Sequence, residues 1–206
     1  MKIISTSLYG DNVKYVQGAI ANCRLAPVIY PGWQLRIYVE SGHPAIPELI
    51  GEGAEIVSMG KSEGTTGMFW RFLAASDSSV DRAIFRDLDS RFNVREQAAV
   101  NAWVASGKKA HVMRDHVHHQ MWKMFGGMWG IVGGVIPNME EMIEKHPNKV
   151  DRMQDVYFLL SNVYPLIEND CLEHGMPVFN AVPFPEHTPY DGFVGQIFEG
   201  DGTPNW

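Results

Sequence analysis

Apolar positions in the first half of the chain switch repeatedly between a period of two and a period near 3.6. That switching predicts a succession of strands and helices. Lys2 to Leu8 is apolar and β-branched and reads as a first strand. Tyr9-Gly10-Asp11-Asn12 supplies a turn and a helix start, after which Val13, Val16, Gln17, Ile20 and Ala21 recur at helical spacing. Pro31-Gly32 interrupts the chain before a second strand over Gln34 to Glu40. A short helix over Pro44 to Leu49 and a third strand over Ala54 to Met59 follow. Met68 to Ala75 reads as a helix with Phe69, Phe72 and Leu73 inward, and Arg82 to Leu88 as the next strand. Arg95 to Ser106 is a helix stopped by Gly107, and Ala110 to Met113 is a further short strand.

The alternation weakens after Gly126. Glycines at 126, 127, 130, 133 and 134 predict an irregular stretch, with helices then expected over Met139 to Lys145 and Met153 to Leu166. The tail from Pro183 is rich in Pro, Gly and aromatic residues. This order predicts an α/β fold whose parallel half binds a nucleotide and whose irregular half completes a cleft. No internal repeat, low-complexity block or long linker divides the chain, so residues 1–206 read as a single domain.

Composition narrows the function. An apolar fraction of 45% and a charged fraction of 20% are ordinary for a globular protein. A net charge of −7 argues against a nucleic-acid binder that works by phosphate neutralisation, but leaves room for a local cationic pocket. Cys23 and Cys171 lie far apart and form no CxxC pair, which fits a reduced, cytoplasmic setting while leaving one disulfide open. The first residues are too short and polar a stretch for a signal sequence. No apolar run reaches the roughly 18 residues of a membrane-spanning helix, so a lipid acceptor would be reached from the membrane surface.

The chemistry concentrates in Arg86-Asp87-Leu88-Asp89-Ser90-Arg91. Residues two apart on a strand project to the same face, so Asp87 and Asp89 are expected to converge at the end of an apolar strand. Two such carboxylates seat a hard divalent cation while leaving positions for phosphate oxygens. The tripeptide alone is common, and its context carries the weight.

Met68-Phe69-Trp70-Arg71-Phe72-Leu73, a polar turn through Asp77, and then Ala83 to Arg91 resemble GT-A glycosyltransferases, in which an Arg-bearing helix precedes the strand ending in the DxD motif. Arg95-Glu96, Ala99-Val100, Trp103, His111 to His116 and Gly126-Gly127-Met128-Trp129-Gly130 extend the resemblance to a little-characterised bacterial and viral branch of that superfamily. It spans roughly residues 1 to 200. The resemblance implies a Rossmann-like GT-A fold with a central, mostly parallel sheet flanked by helices. It also implies a UDP- or GDP-sugar donor, a sugar or glycan acceptor, and Mn²⁺ or Mg²⁺. On this basis Asp87 and Asp89 are expected to hold the metal, and His174 is expected to complete its site. Read by itself, His174 ends a helix, where an imidazolium is favoured.

The remaining candidates follow the same frame. Ser7 and Tyr9, after the first strand, are expected at the donor nucleotide, with Tyr9 able to stack on a base. Arg71 can reach the diphosphate or brace Asp87 through a bidentate pair. Asp155 opens Asp155-Val156-Tyr157-Phe158-Leu159, where related sequences carry Asp-Gln, and is the candidate for sugar or acceptor recognition and for a general base. Asp115 and Trp129 are expected on the acceptor side, Trp129 as a sugar platform freed by flanking glycines. His111, His116, His118 and His119 have no matching Cys pair and no HExxH, which argues against a dedicated zinc site. His118 and His119 are expected to be exposed. A nucleotidyltransferase of similar fold is disfavoured because Ser5 to Gly10 is not a Gly-rich, basic loop. A non-catalytic nucleotide-sugar-binding protein is the other alternative.

Overall fold

The structure, a computed structural model, describes residues 1–179, 181–185 and 192–205, so part of the tail beyond Pro183 lies outside the described residues. Seven strands form the central sheet: β1 (Lys2–Leu8), β2 (Gln34–Glu40), β3 (Glu55–Met59), β4 (Arg82–Phe85), β5 (Ala110–Arg114), β6 (Trp129–Val132) and β7 (Cys171–Gly175). Their spatial order is β3-β2-β1-β4-β6-β5-β7. Pairing is parallel throughout except at β6, which runs antiparallel to both β4 and β5. The chain moves outward from β1 to β3 and then returns to lay β4 on β1's other side. That reversal makes the carboxyl ends of β1 and β4 a switch point, where open α/β sheets bind ligands.

Helices cover both faces: α1 (Val13–Ile29), α2 (Ile46–Gly51), α3 (Val94–Ser106), α4 (Met139–Lys145), α5 (Gln154–Phe158) and α6 (Tyr164–Ile167). Strand alternation divides the core into two layers. Ala83 and Phe85 of β4 join a cluster with Phe69, Phe72, Trp129 and Phe158. Ile84 joins the opposite cluster with Ile20, Tyr30, Val100 and Trp103.

Several boundaries differ from expectation for physical reasons. Thr66–Ala75 is wound as 3-10 turns, and Ser5 and Ser7 of β1 bond its Arg71 backbone on both sides. β4 ends at Phe85, so Asp87 and Asp89 belong to the loop beyond it. The expected irregular glycine stretch contains β6, whose Gly130 packs tightly on Ile84 and Trp103, each 3.0 Å from where a Cβ would stand. Met153 to Leu166 is interrupted: α5 passes into π turns at Leu159–Val163 and then α6. Among the described residues no helix is long and apolar enough to cross a membrane.

Candidate active site

Arg71 is the hub of the cleft. It is 5% exposed, and Ser7 Oγ accepts its backbone N–H at 2.9 Å while its carbonyl accepts Ser5 Oγ–H at 2.6 Å. Both serines stand on β1, so the first strand sets the arginine's position. Its guanidinium pairs with Asp87 through one NH2 group and with Asp155 Oδ2 through the other, at 2.8 Å in the second case. A buried guanidinium needs such partners, because removal from water is costly without them.

The loop Asp87-Leu88-Asp89 is held from beneath. Arg86 is 1% exposed; it donates to the Phe85 carbonyl at 2.7 Å and lies 3.5 Å from Glu96 Oε2 of α3. Glu96 in turn accepts the Tyr30 hydroxyl at 2.7 Å, so Arg86 is an anchor and not a phosphate contact. On α1, a Cβ at Gly18 would stand 1.8 Å from the Leu88 carbonyl oxygen, and Asn22 Nδ2 donates to the Ser90 carbonyl at 2.9 Å. Arg91 donates back to the Leu88 and Ser90 carbonyls. Phe198 N–H closes over the loop onto the Asp89 carbonyl at 2.7 Å.

The resulting cleft has a volume of about 650 Å³ and is lined by Ser7, Tyr9, Arg71, Asp87, Asp89 and Asp155 among others. Of the residues assigned to the site from sequence, these six are brought together. Lys14, Tyr15, His119, Met153 and Arg152 also line it. Lys14 Nζ sits 3.0 Å from Asp89 Oδ2. Gly126 and Gly127 pass directly over the charged groups: a Cβ on Gly126 would meet Arg71 and Asp155 at 2.3 Å, and one on Gly127 would meet Asp87 Oδ2 at 2.0 Å. The glycines admit a close approach of the backbone to the protein's own charges. Met153 holds a left-handed backbone, φ 72°, at the start of α5, the kind of local strain that collects at functional sites.

Burial tunes these groups. It raises the Asp89 carboxyl above its ordinary value, and the neighbouring Asp87 charge adds to the effect against Lys14. Asp155 is also raised by burial, with Arg71 opposing. Tyr9 is pushed up to about 12 by burial, with the Arg71 charge opposing.

Three expected site residues lie elsewhere. Trp129 is fully buried on β6 with its ring 3.9 Å from that of Phe85. It is a core residue and offers no face to a sugar. Asp115 accepts two 2.7 Å bonds from Arg95 and the Val194 N–H at 3.0 Å, a brace between α3 and the C-terminal segment. His174 lies inside β7, not at a helix end, and shares a 2.8 Å hydrogen bond with His111. It is buried beside His111 and is not among the residues that line the cleft with Asp87 and Asp89. His119, expected to be exposed, lines the cleft beside Phe125, and burial lowers it to about 4. His118 is exposed as expected. Arg152 carried no motif signal at all.

Among the described residues no group of three or more His, Cys, Asp or Glu side chains could hold a metal. Asp87 and Asp89 nevertheless fit an open two-carboxylate seat. Asp87 is 46% exposed to the cleft, and the mutual repulsion of the pair is what a divalent cation relieves. Phosphate oxygens and water would supply the other ligands.

No family model matches the chain, and no curated protein matches it. Solved structures do. Glucosyl-3-phosphoglycerate synthase from Mycobacterium tuberculosis, in complex with Mn²⁺, UDP-glucose and phosphoglyceric acid, superposes with a TM-score of 0.52 at 13% identity over 84% of this chain and 68% of that one. The same enzyme in complex with UDP matches with a TM-score of 0.51 at 14% identity, over 92% of this chain and 73% of that one. The chain has the α/β fold of these GT-A-like glycosyltransferases, with a mostly parallel seven-stranded sheet flanked by helices.

Proposed function

We propose that the protein is a glycosyltransferase that moves a sugar from a nucleotide-diphosphate sugar to a sugar or glycan acceptor. The observation that carries this reading is the meeting, at the β1–β4 switch point, of the Asp87–Asp89 pair with Ser7, Tyr9 and Arg71. Open α/β sheets take their ligands at such a point, and the two carboxylates suit Mn²⁺ or Mg²⁺. A divalent cation there would offset charge on the departing diphosphate. The fold shared with an enzyme solved with Mn²⁺ and UDP-glucose supports a UDP-sugar as the first donor to try.

Each residue has a role within this reading. Tyr9 offers a ring to the base, and Ser7 fixes Arg71. Arg71 holds Asp87 and Asp155 apart at a set spacing, so that the carboxylates do not repel one another out of position. Asp155 faces the sugar or acceptor hydroxyls, and its raised carboxyl suits it to accept a proton. Arg71, Asp89 and Asp155 are largely withdrawn from bulk water, which strengthens their electrostatic contacts.

The test is turnover. Wild type is incubated with a panel of UDP- and GDP-sugars, with Mn²⁺ or with a chelator, and release of free nucleotide is followed. Slow hydrolysis of one donor with Mn²⁺, lost in Asp87→Asn and reduced about 100-fold or more in Asp155→Asn, is the expected result. Tight donor binding without any turnover would instead make the protein a sugar-nucleotide binder.

A further inference from the structure

Lys14 stands where an α-helix least favours it. It is the second residue of α1, capped by Asn12, and no acidic side chain occupies that first turn. A cation there opposes the helix dipole. Local rules are broken in this way where function requires it. Its Nζ lies 3.0 Å from Asp89 Oδ2, and the two side chains are only 20% and 11% exposed. Tyr15 flanks the ammonium, 4.9 Å from ring centre to Nζ.

The formal charges of the cleft cancel: Lys14, Arg71 and Arg152 stand against Asp87, Asp89 and Asp155. A sugar nucleotide's diphosphate is a dianion, and Mn²⁺ is a dication. Either alone unbalances the cleft, while both together leave it neutral. Of the two carboxylates that would take the metal, Asp89 is paired with Lys14 and Asp87 with Arg71. Arg71 is held by two carboxylates at once and cannot readily turn to a new partner. Lys14 ends a flexible four-carbon stem and is paired with one carboxylate, Asp89, among the described residues.

We propose that Lys14 competes with the divalent cation for Asp89 and that, once displaced, its ammonium binds the diphosphate of the nucleotide sugar. The inference rests on the glycosyltransferase reading above and adds a donor-binding residue to it. Metal and nucleotide then favour one another's binding through one mobile side chain. The metal frees the lysine, and the freed lysine holds the phosphate.

The test uses the full chain with two probes: MnCl₂ alone, followed by the electron paramagnetic resonance signal of free Mn²⁺, and UDP at fixed Mn²⁺, followed by calorimetry. Lys14→Met should bind Mn²⁺ alone about fivefold tighter or more, since its competitor is gone. The same variant should bind UDP with Mn²⁺ about tenfold more weakly or worse, while Lys14→Arg retains both wild-type affinities. Mn²⁺ affinity that is unchanged or weaker in Lys14→Met, or UDP affinity that is not reduced, overturns the inference. Asp89→Asn distinguishes the two levels. If it loses Mn²⁺ binding while Lys14→Met gains none, only the role of Lys14 fails. If it keeps wild-type Mn²⁺ affinity, the metal seat itself fails.

Discussion

Gly126 and Gly127 lie so close over the charged cluster that neither has room for a side chain. A methyl at 127 would press on Asp87 Oδ2 at 2.0 Å and on the Asp87 backbone N at 2.9 Å. Gly127→Ala is therefore expected to lose about 1–3 kcal/mol of stability by overpacking. It should also weaken Mn²⁺ binding, because the carboxylate it displaces is one of the two that would take the metal. Gly51→Ala, with nothing within 4 Å of the added methyl, is the control: it should leave Mn²⁺ affinity unchanged and, as a helical Gly→Ala change in α2, not reduce stability. Equal effects of the two substitutions on Mn²⁺ affinity would contradict this account. At this scale the sequence was informative about the acids and silent about their partners. Asp87, Asp89, Asp155 and Arg71 could be named from type and context. The pairing of Lys14 with Asp89 could not, because it joins a helix start to a loop 75 positions later, and neither residue's type specifies the other.

β5 and β7 share a buried pair of imidazoles. His111 and His174 are 0% and 2% exposed, meet at 2.8 Å, and His111 lies flat against Trp103. Burial lowers His174 to about 4, and lowers His111 well below its ordinary value with His174 and Arg86 adding to the effect. A histidine that resists protonation when folded but accepts a proton when unfolded stabilises the fold above its ordinary value of 6.5. That stability is lost as pH falls from 6.5 toward about 4. His174→Gln should therefore show a shallower loss of urea-unfolding stability than wild type across that window. The difference between the two profiles is the readout, since Asp89, Asp155 and Glu96 are shifted in the opposite sense. Superimposable profiles would show that the pair does not titrate on unfolding. These elements also mark where sequence reading stops. β6 hides among glycines that pack against Ile84 and Val80. β7 reads as polar because its Glu173 and His174 are satisfied by Arg114 and His111 of β5, some 60 positions earlier. Alternation sees near neighbours only, so the parallel half and α4 (Met139–Lys145) were legible while β6 and β7, completed by distant pairs, were not.

Across the molecule, a net charge of −7 surrounds a cleft whose own formal charges cancel. That arrangement suits a dianionic ligand only when a cation accompanies it, and it ties fold to function. The sheet's reversal between β1 and β4 brings Ser7, Tyr9 and the Asp87–Asp89 loop to one edge. α1, through Gly18 and Asn22, and α3, through Glu96, hold the loop there. Those supports explain why the acidic loop keeps its shape beyond the end of its strand. Asp115, Trp129 and His174, expected at the site from sequence, serve the frame instead. The central claim is that Asp87 and Asp89 bind a divalent cation together with a nucleotide diphosphate, and calorimetric titration with UDP in the presence and absence of Mn²⁺ tests it most directly. Wild type should bind UDP at least about tenfold more tightly with Mn²⁺ than without, and Asp89→Asn should lose that gain. The same UDP affinity with and without Mn²⁺, or a gain that survives in Asp89→Asn, would contradict it.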